Sequence, residues 1–97
     1  MDTWRIDDFS AALTSLSDHT VAAYSSDLRS FAEWCARGNV NTPQAVTRPT
    51  IRRYLAHLTT RRFARSTMAR KAAALRRYYR WAISMELVAA PELAVVP

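Results

Sequence analysis

The sequence predicts an all-α fold: a compact bundle of four main helices followed by a short C-terminal tail. Three observations carry this. Gly38 is the only glycine in 97 residues, and no Asn-Gly or Asp-Gly pair is present, so tight β-hairpins lack their usual turn residues. Alanine, leucine and arginine are abundant, and all three favour helix. Apolar residues recur three or four positions apart through four successive stretches. The length suits one domain spanning residues 1–97. A chain of this size buries roughly 60–70% of its unfolded surface, enough for one core without metal or disulfide staples.

The first helix is expected from about Ile6 to Leu16, with Ile6, Phe9, Leu13 and Leu16 on one stripe and Asp7 and Asp8 near its positive end. The second begins after Ser17, a favourable N-cap, and ends at Arg37-Gly38, where the glycine suits a left-handed C-terminal position. Its stripe is Val21, Tyr24, Leu28, Phe31 and Cys35. Asn39 to Val46, with Asn41-Thr42-Pro43, reads as a loop. The third helix is capped by Thr47 and tolerates Pro49 in its first turn. It buries Ile51, Tyr54, Leu55 and Leu58, and Arg61-Arg62 close it at the negative end of its dipole. The fourth and longest is expected from about Arg65 to Glu86, on a stripe of Met68, Ala72, Leu75, Tyr79 and Ala82. Pro91 and Pro97 limit the C-terminal tail to a short helical turn or an extended exit.

Charge is distributed unevenly. Residues 1–45 carry three basic side chains against six acidic ones, whereas residues 46–97 carry eleven against two, so the net +6 resides in the second half. Thirteen of the fourteen basic residues are arginine, which favours planar, two-point contacts with phosphate or base edges over a diffuse lysine coat. A polyanion is the natural partner, and nucleic acid fits best. A single glycine excludes phosphate-cradling loops and dinucleotide fingerprints. One cysteine and two histidines supply neither an internal disulfide nor a structural zinc site, so no cofactor or metal is expected. The N-terminus has no apolar run of the signal-peptide kind, and no stretch approaches the ~18 apolar residues of a membrane span; a cytoplasmic location is expected.

At about 100° per residue, the side of each long helix opposite its apolar stripe can be written out. On the fourth it holds Ser66, Arg70, Ala73, Ala74 and Arg77, with Thr67 and Lys71 at the flank; on the second it holds His19, Ala22, Ala23, Ser26 and Ser30. Small and hydrogen-bonding side chains between arginines suit close approach to a nucleic-acid groove. Both helices also place a threonine in their first turn, Thr20 and Thr67, with Arg61, Arg62 and Arg65 around the second. Such positions suit a phosphate oxygen, and they equally suit capping of the helices themselves.

The run Leu16-Ser17-Asp18-His19-Thr20-Val21-Ala22-Ala23-Tyr24, followed by Asp27-Leu28-Arg29, Phe31 and Trp34, resembles the N-terminal core-binding domain of Xer-type tyrosine recombinases and phage integrases. Val46-Thr47 with Ile51-Arg52 and Tyr54-Leu55 extend the likeness. So does Ser66-Thr67-Met68-Ala69-Arg70-Lys71 leading into Ala74-Leu75-Arg76-Arg77-Tyr78-Tyr79-Arg80-Trp81. The match covers about Asp7 to Pro91. It implies a SAM-like bundle that clamps one face of a duplex DNA recombination half-site while a separate catalytic domain, absent from this chain, grips the other. It further implies that the second and fourth helices lie in the major groove and that neighbouring protomers are partners on DNA. Carried over by this resemblance, Thr20 and Thr67 would touch phosphates. His19, Ala22, Ala23 and Ser26 would line the groove from the second helix, and Ser66, Arg70, Lys71, Ala74 and Arg77 would do so from the fourth, with Arg65 a DNA-binding residue at its start. The sequence departs from the family pattern in three places: Ala64 replaces a capping serine, which suggests a later start capped by Ser66; Arg62-Phe63 replaces a glycine and an aliphatic residue; and Ala90 replaces an asparagine before Pro91.

No catalytic residue is expected here. Recombinase chemistry groups arginines and a histidine around a tyrosine nucleophile, and the family's His-x-x-Arg element has no counterpart, since His19 is followed by Ala22 and His57 by Thr60. Tyr24, Tyr54, Tyr78 and Tyr79 lie on or beside apolar stripes and read as core or interface residues; Cys35 reads as a small core hydrophobe. Trp34 and Trp81 fall off the stripes, at places that suit a bundle seam, a neighbouring protomer or the catalytic domain. The rival to a non-enzymatic DNA-binding domain is a helical protein-interaction module of the SAM or death-domain kind, its basic face turned to an acidic partner.

Overall fold

The computed structural model describes residues 3–89. Pro91, Pro97 and the tail expected around them lie outside those residues. Four α-helices succeed one another: α1 (Ile6–Ala12), α2 (Asp18–Arg37), α3 (Arg48–Thr60) and α4 (Arg65–Ser84), with a 3-10 turn at Pro43–Ala45 between α2 and α3. No strand occurs among the described residues. α2 packs against α4 and α1 and, less extensively, α3.

Local chemistry explains where most elements begin. The Ser17 side chain accepts the Thr20 backbone N–H, as expected for its N-cap position. Thr47 and Thr50 form a reciprocal capping box at the start of α3, where Pro49 needs no N–H partner. α4 starts at Arg65, as its spacing predicts, and not at a later turn capped by Ser66: Ala64 offers no side-chain cap, and Ser66 lies inside the helix.

Three helices end alike. After α2, α3 and α4 the second residue past the helix adopts a left-handed backbone: Asn39 (φ 63°), Arg62 (φ 58°) and Glu86 (φ 59°). Each is succeeded by an apolar residue whose N–H reaches back along the helix, Val40 to Cys35 (2.9 Å), Phe63 to Leu58 (3.3 Å) and Leu87 to Ala82 (2.9 Å), which is the Schellman arrangement. The left-handed role assigned to Gly38 therefore belongs to Asn39; Gly38 itself has φ −99°. Asparagine tolerates that region, so the glycine was not required there. α1 ends at Ala12 instead of Leu16, because Leu13, 8% exposed, turns back into the core and Thr14-Ser15 favour turn over helix.

The core is aromatic. Trp4, Phe9, Phe31, Tyr54, Tyr78 and Tyr79 are buried with Ile6, Leu28, Ile51, Leu58 and Leu75. Tyr78 meets Trp4, Phe9, Tyr79 and Trp81 with ring centroids 5.1–5.9 Å apart and donates its hydroxyl to the Trp4 carbonyl at 2.7 Å. Tyr79 donates to the Pro43 carbonyl at 3.3 Å. Both tyrosines satisfy their polar end, which allows full burial. Trp34 lies against Phe31, Tyr54 and His57, covering the α2–α3 seam, and Trp81 lies against Phe9 and Tyr78, covering the α1–α4 seam.

The apolar stripe of α4 is rotated from the one its spacing predicts. Met68 and Ala72 are only half-buried, while Lys71, Ala74 and Tyr78 join Leu75, Tyr79 and Ala82 inside. The expected places of Ala74 on the outer face and of Lys71 at its flank are thereby corrected. Ala74 has no exposed surface, because its small side chain sits where α4 meets the rest of the bundle, and Lys71 is drawn inward by a carboxylate.

Burial pushes the Cys35 thiol up from 9.0 to about 12, and burial together with Asp27 and Cys35 pushes the Tyr54 hydroxyl up from 10.0 to about 12. The native chain is therefore expected to resist thiol reagents at pH 8 and to react fully once unfolded. Both groups hold their protons more tightly when folded, so the unfolded chain loses them first. The stability they contribute is complete below about pH 9 and falls as pH rises toward 12. Denaturant titrations at pH 8 and pH 11 test the sign; equal midpoints would contradict it.

Candidate functional site

The exposed flanks of α2 and α4 meet around one buried carboxylate. Asp27, 4% exposed, accepts Nε and Nη2 of Arg70, both at 2.9 Å, and Nζ of Lys71 at 3.1 Å. Arg70 keeps nearly half its side chain in solvent, whereas Lys71 is buried, its ammonium 5.4 Å from the Phe63 ring centroid. The Asp27 hydrogen bonds raise the Arg70 pKa still further above its ordinary value, so its charge is permanent. No buried side-chain N or O among the described residues lacks a partner.

Around this bridge, His19, Ala22 and Ser26 are exposed on α2, with Thr20 and Ala23 half-buried. On α4, Arg65, Ser66 and Arg70 are exposed and Thr67 half-buried. Thr20 accepts a hydrogen bond from the Ser17 hydroxyl at 3.0 Å and so takes part in its own helix's cap. A groove of about 180 Å³, lined in part by Ser30, Glu33 and Arg37 of α2 and Arg61, Phe63 and Lys71, sets the start of α4 beside the C-terminal half of α2. Thr20 and Thr67 consequently lie toward opposite ends of the shared surface. Arg77, two turns past Arg70 on α4, is half-buried and lines a groove between α1 and α4 with Phe9, Leu13, Arg80 and Trp81.

The outward side of α4 is basic along its length, through exposed Arg65, Arg70, Arg76 and Arg80. The apolar spacing leaves Arg76 and Arg80 off the predicted face, because the buried stripe is turned from the one that spacing marks. Asp27 was missed as a site residue. Its signal was an acidic residue one step from the Tyr24–Leu28–Phe31 stripe, where a charge is expensive unless paired.

Among the described residues no three His, Cys, Asp or Glu side chains gather closely enough to hold a metal, and no helix is long and apolar enough to cross a membrane. His57 is half-buried against Trp34 and Tyr54.

The architecture is that of a small all-α SAM-like domain with a basic, arginine-rich long helix. Residues 6–86 match the phage integrase N-terminal SAM-like domain, and the chain belongs to that family. It is 40% identical over 88 residues to a tyrosine recombinase XerC of Pelobacter propionicus, covering 80% of this chain and 29% of the relative. It is 36% identical over 87 residues to a XerC of Mycobacterium sp. (86% and 28%), and 31% identical over 81 residues to a XerD of Shewanella oneidensis (84% and 27%). The chain thus spans under a third of the length of these relatives. No solved structure matches it significantly.

Proposed function

We propose that this chain binds duplex DNA as the N-terminal clamp half of a site-specific tyrosine recombinase, with α2 and α4 presented to the major groove. The observation that carries this is the Asp27–Arg70 bridge. It sets the small, polar flank of α2 beside the arginine-rich outer side of α4, so that one surface combines both. His19, Ala22, Ala23 and Ser26 then face the groove from α2, with Ser66 and Arg70 facing it from α4. Thr20, Thr67 and the exposed Arg61, Arg62 and Arg65 meet phosphates. Lys71 and Ala74 are too deeply buried to contact DNA. The domain itself is non-catalytic in this reading. Its partners are a recombination half-site, a catalytic domain of the same protein on the opposite DNA face, and neighbouring protomers.

Arg62 adds support. It occupies a left-handed conformation, φ 58°, that costs a non-glycine residue about 1–2 kcal/mol, at a place where the resembling family commonly has glycine. Exposed at the mouth of α4, its guanidinium suits a phosphate contact. Arg62→Gly is expected to raise stability by about 0.5–1 kcal/mol and yet weaken binding to duplex, reducing the salt slope by about one. Fluorescence anisotropy with a labelled duplex across several salt concentrations tests the reading, with Arg62→Gly and Arg65→Ala beside the wild type. A steep slope that shrinks in both variants supports the clamp. A flat response at low salt would return the basic half to an acidic protein partner.

A further inference from the structure

We propose that Asp27 is a specificity-determining positioning residue: it holds the Arg70 guanidinium in one orientation for reading a base edge, while Lys71 preserves the net positive charge of the assembly. The inference rests on the DNA-binding reading above.

Asp27 engages Arg70 side-on, through Nε and one terminal nitrogen, at two equal distances of 2.9 Å. The outward edge of the guanidinium keeps donors on both terminal nitrogens, a planar fork that matches a pair of adjacent acceptors on a base. A free surface arginine would have to surrender several rotors to present that fork; Asp27 restricts them before any ligand arrives. Because the carboxylate is buried and its backbone lies in the middle of a long helix, the anchor itself is fixed.

Charge explains Lys71. An isolated Asp–Arg pair would be neutral and would add nothing to attraction for a polyanion. Lys71, on the same carboxylate oxygen as Nη2 of Arg70, leaves the trio with one net positive charge. It does so from a buried position where it cannot touch DNA. Fixed orientation matters to base edges and little to phosphates, which accept donors from many directions. The positioning role therefore predicts a loss of sequence preference with no loss of salt dependence, a separation that a residue serving only to stabilise the fold would not produce.

The decisive variant is the double substitution Asp27→Asn with Lys71→Met. It removes one negative and one positive charge, leaves the net charge unaltered, and replaces the two-point carboxylate grip on Arg70 by at most one neutral hydrogen bond, without stranding a buried ammonium. A randomised duplex pool is first enriched against the wild-type chain, and anisotropy then compares one enriched duplex with a scrambled duplex of equal composition. The double variant is expected to lose about tenfold of the wild-type preference, with its salt slope on the scrambled duplex unchanged. Arg70→Lys, which keeps the charge at a half-exposed position but cannot form the fork, is expected to lose as much and guards against a folding defect in the double variant. Preference retained by either folded variant overturns the positioning role while leaving DNA binding intact. So does salt-steep wild-type binding that enriches no sequence. A wild-type chain that binds neither duplex overturns the DNA-binding reading, and the inference falls with it.

Discussion

Replacing Tyr78 by alanine is expected to destabilise the chain by about 3–5 kcal/mol. Domains of this size are stable by roughly 5–15 kcal/mol, so the loss would leave the variant marginal or unfolded at ambient temperature. The magnitude comes from its position. Tyr78 has no exposed surface and joins the N-terminal segment, through Trp4, to α1, through Phe9, and to the aromatic residues of its own helix. Truncation would leave a cavity that no single neighbour can fill, and would also remove the hydroxyl that donates to the Trp4 carbonyl. Tyr78→Phe separates the two contributions. It keeps the ring and loses the 2.7 Å hydrogen bond, for an expected cost of about 1–2 kcal/mol. Denaturant unfolding monitored by far-UV circular dichroism measures both. An alanine variant within 1 kcal/mol of wild type would show that the aromatic cluster does not organise the core.

The second large effect belongs to Asp27→Asn, at about 3–5 kcal/mol. The substitution barely changes shape but strands the Lys71 ammonium, whose side chain is only 10% exposed, without its counterion. Lys71→Met should cost less, about 1.5 kcal/mol, because Asp27 retains Arg70 as a partner. The pair changed together should recover much of the loss, since no buried ammonium is then left without its counterion. Arg70 is nearly half-exposed and is weighted accordingly: solvent screens its share of the interaction. A double-mutant cycle read by thermal or denaturant unfolding yields the coupling directly. Additive single and double effects would mean that Asp27 and Lys71 do not stabilise one another.

The surface pairs Arg5–Asp8 at 2.8 Å and Arg29–Asp7 at 3.1 Å belong to another class. Their side chains are well exposed, and their removal should move stability by no more than a few tenths of a kcal/mol. The charges that matter to this fold are those around Asp27, and those that matter to its surface are the arginines of α4 and of the turn before it.

Much of the architecture was legible because local chemistry alone decides it. Ser17 and Thr47 cap α2 and α3 where their sequence positions say they should, since a hydroxyl three residues before a free N–H needs no tertiary help. Leu28, Phe31 and Cys35 on α2, and Ile51, Tyr54 and Leu58 on α3, are buried as their spacing predicts. The uneven charge, with arginines concentrated beyond residue 46, is a property of the chain itself. So are the order and spacing of the family's segments, which is why the resemblance could be seen before any coordinates.

The tertiary structure decided which face of α4 points inward. Alanine is nearly indifferent to burial, and a tyrosine or a lysine enters a core only where a partner waits for its polar end. Tyr78 is inside because the Trp4 carbonyl lies 74 residues away in sequence but 2.7 Å away in space, and Lys71 is inside because Asp27 crosses from another helix at 3.1 Å. Those partners turn the stripe, bury Ala74, bring Arg76 and Arg80 to the surface and convert Arg70 from a free surface cation into an anchored one. Periodicity within one helix holds no record of groups arriving from elsewhere, so the outer face of α4 could be settled only once α2 and the N-terminal segment had packed against it.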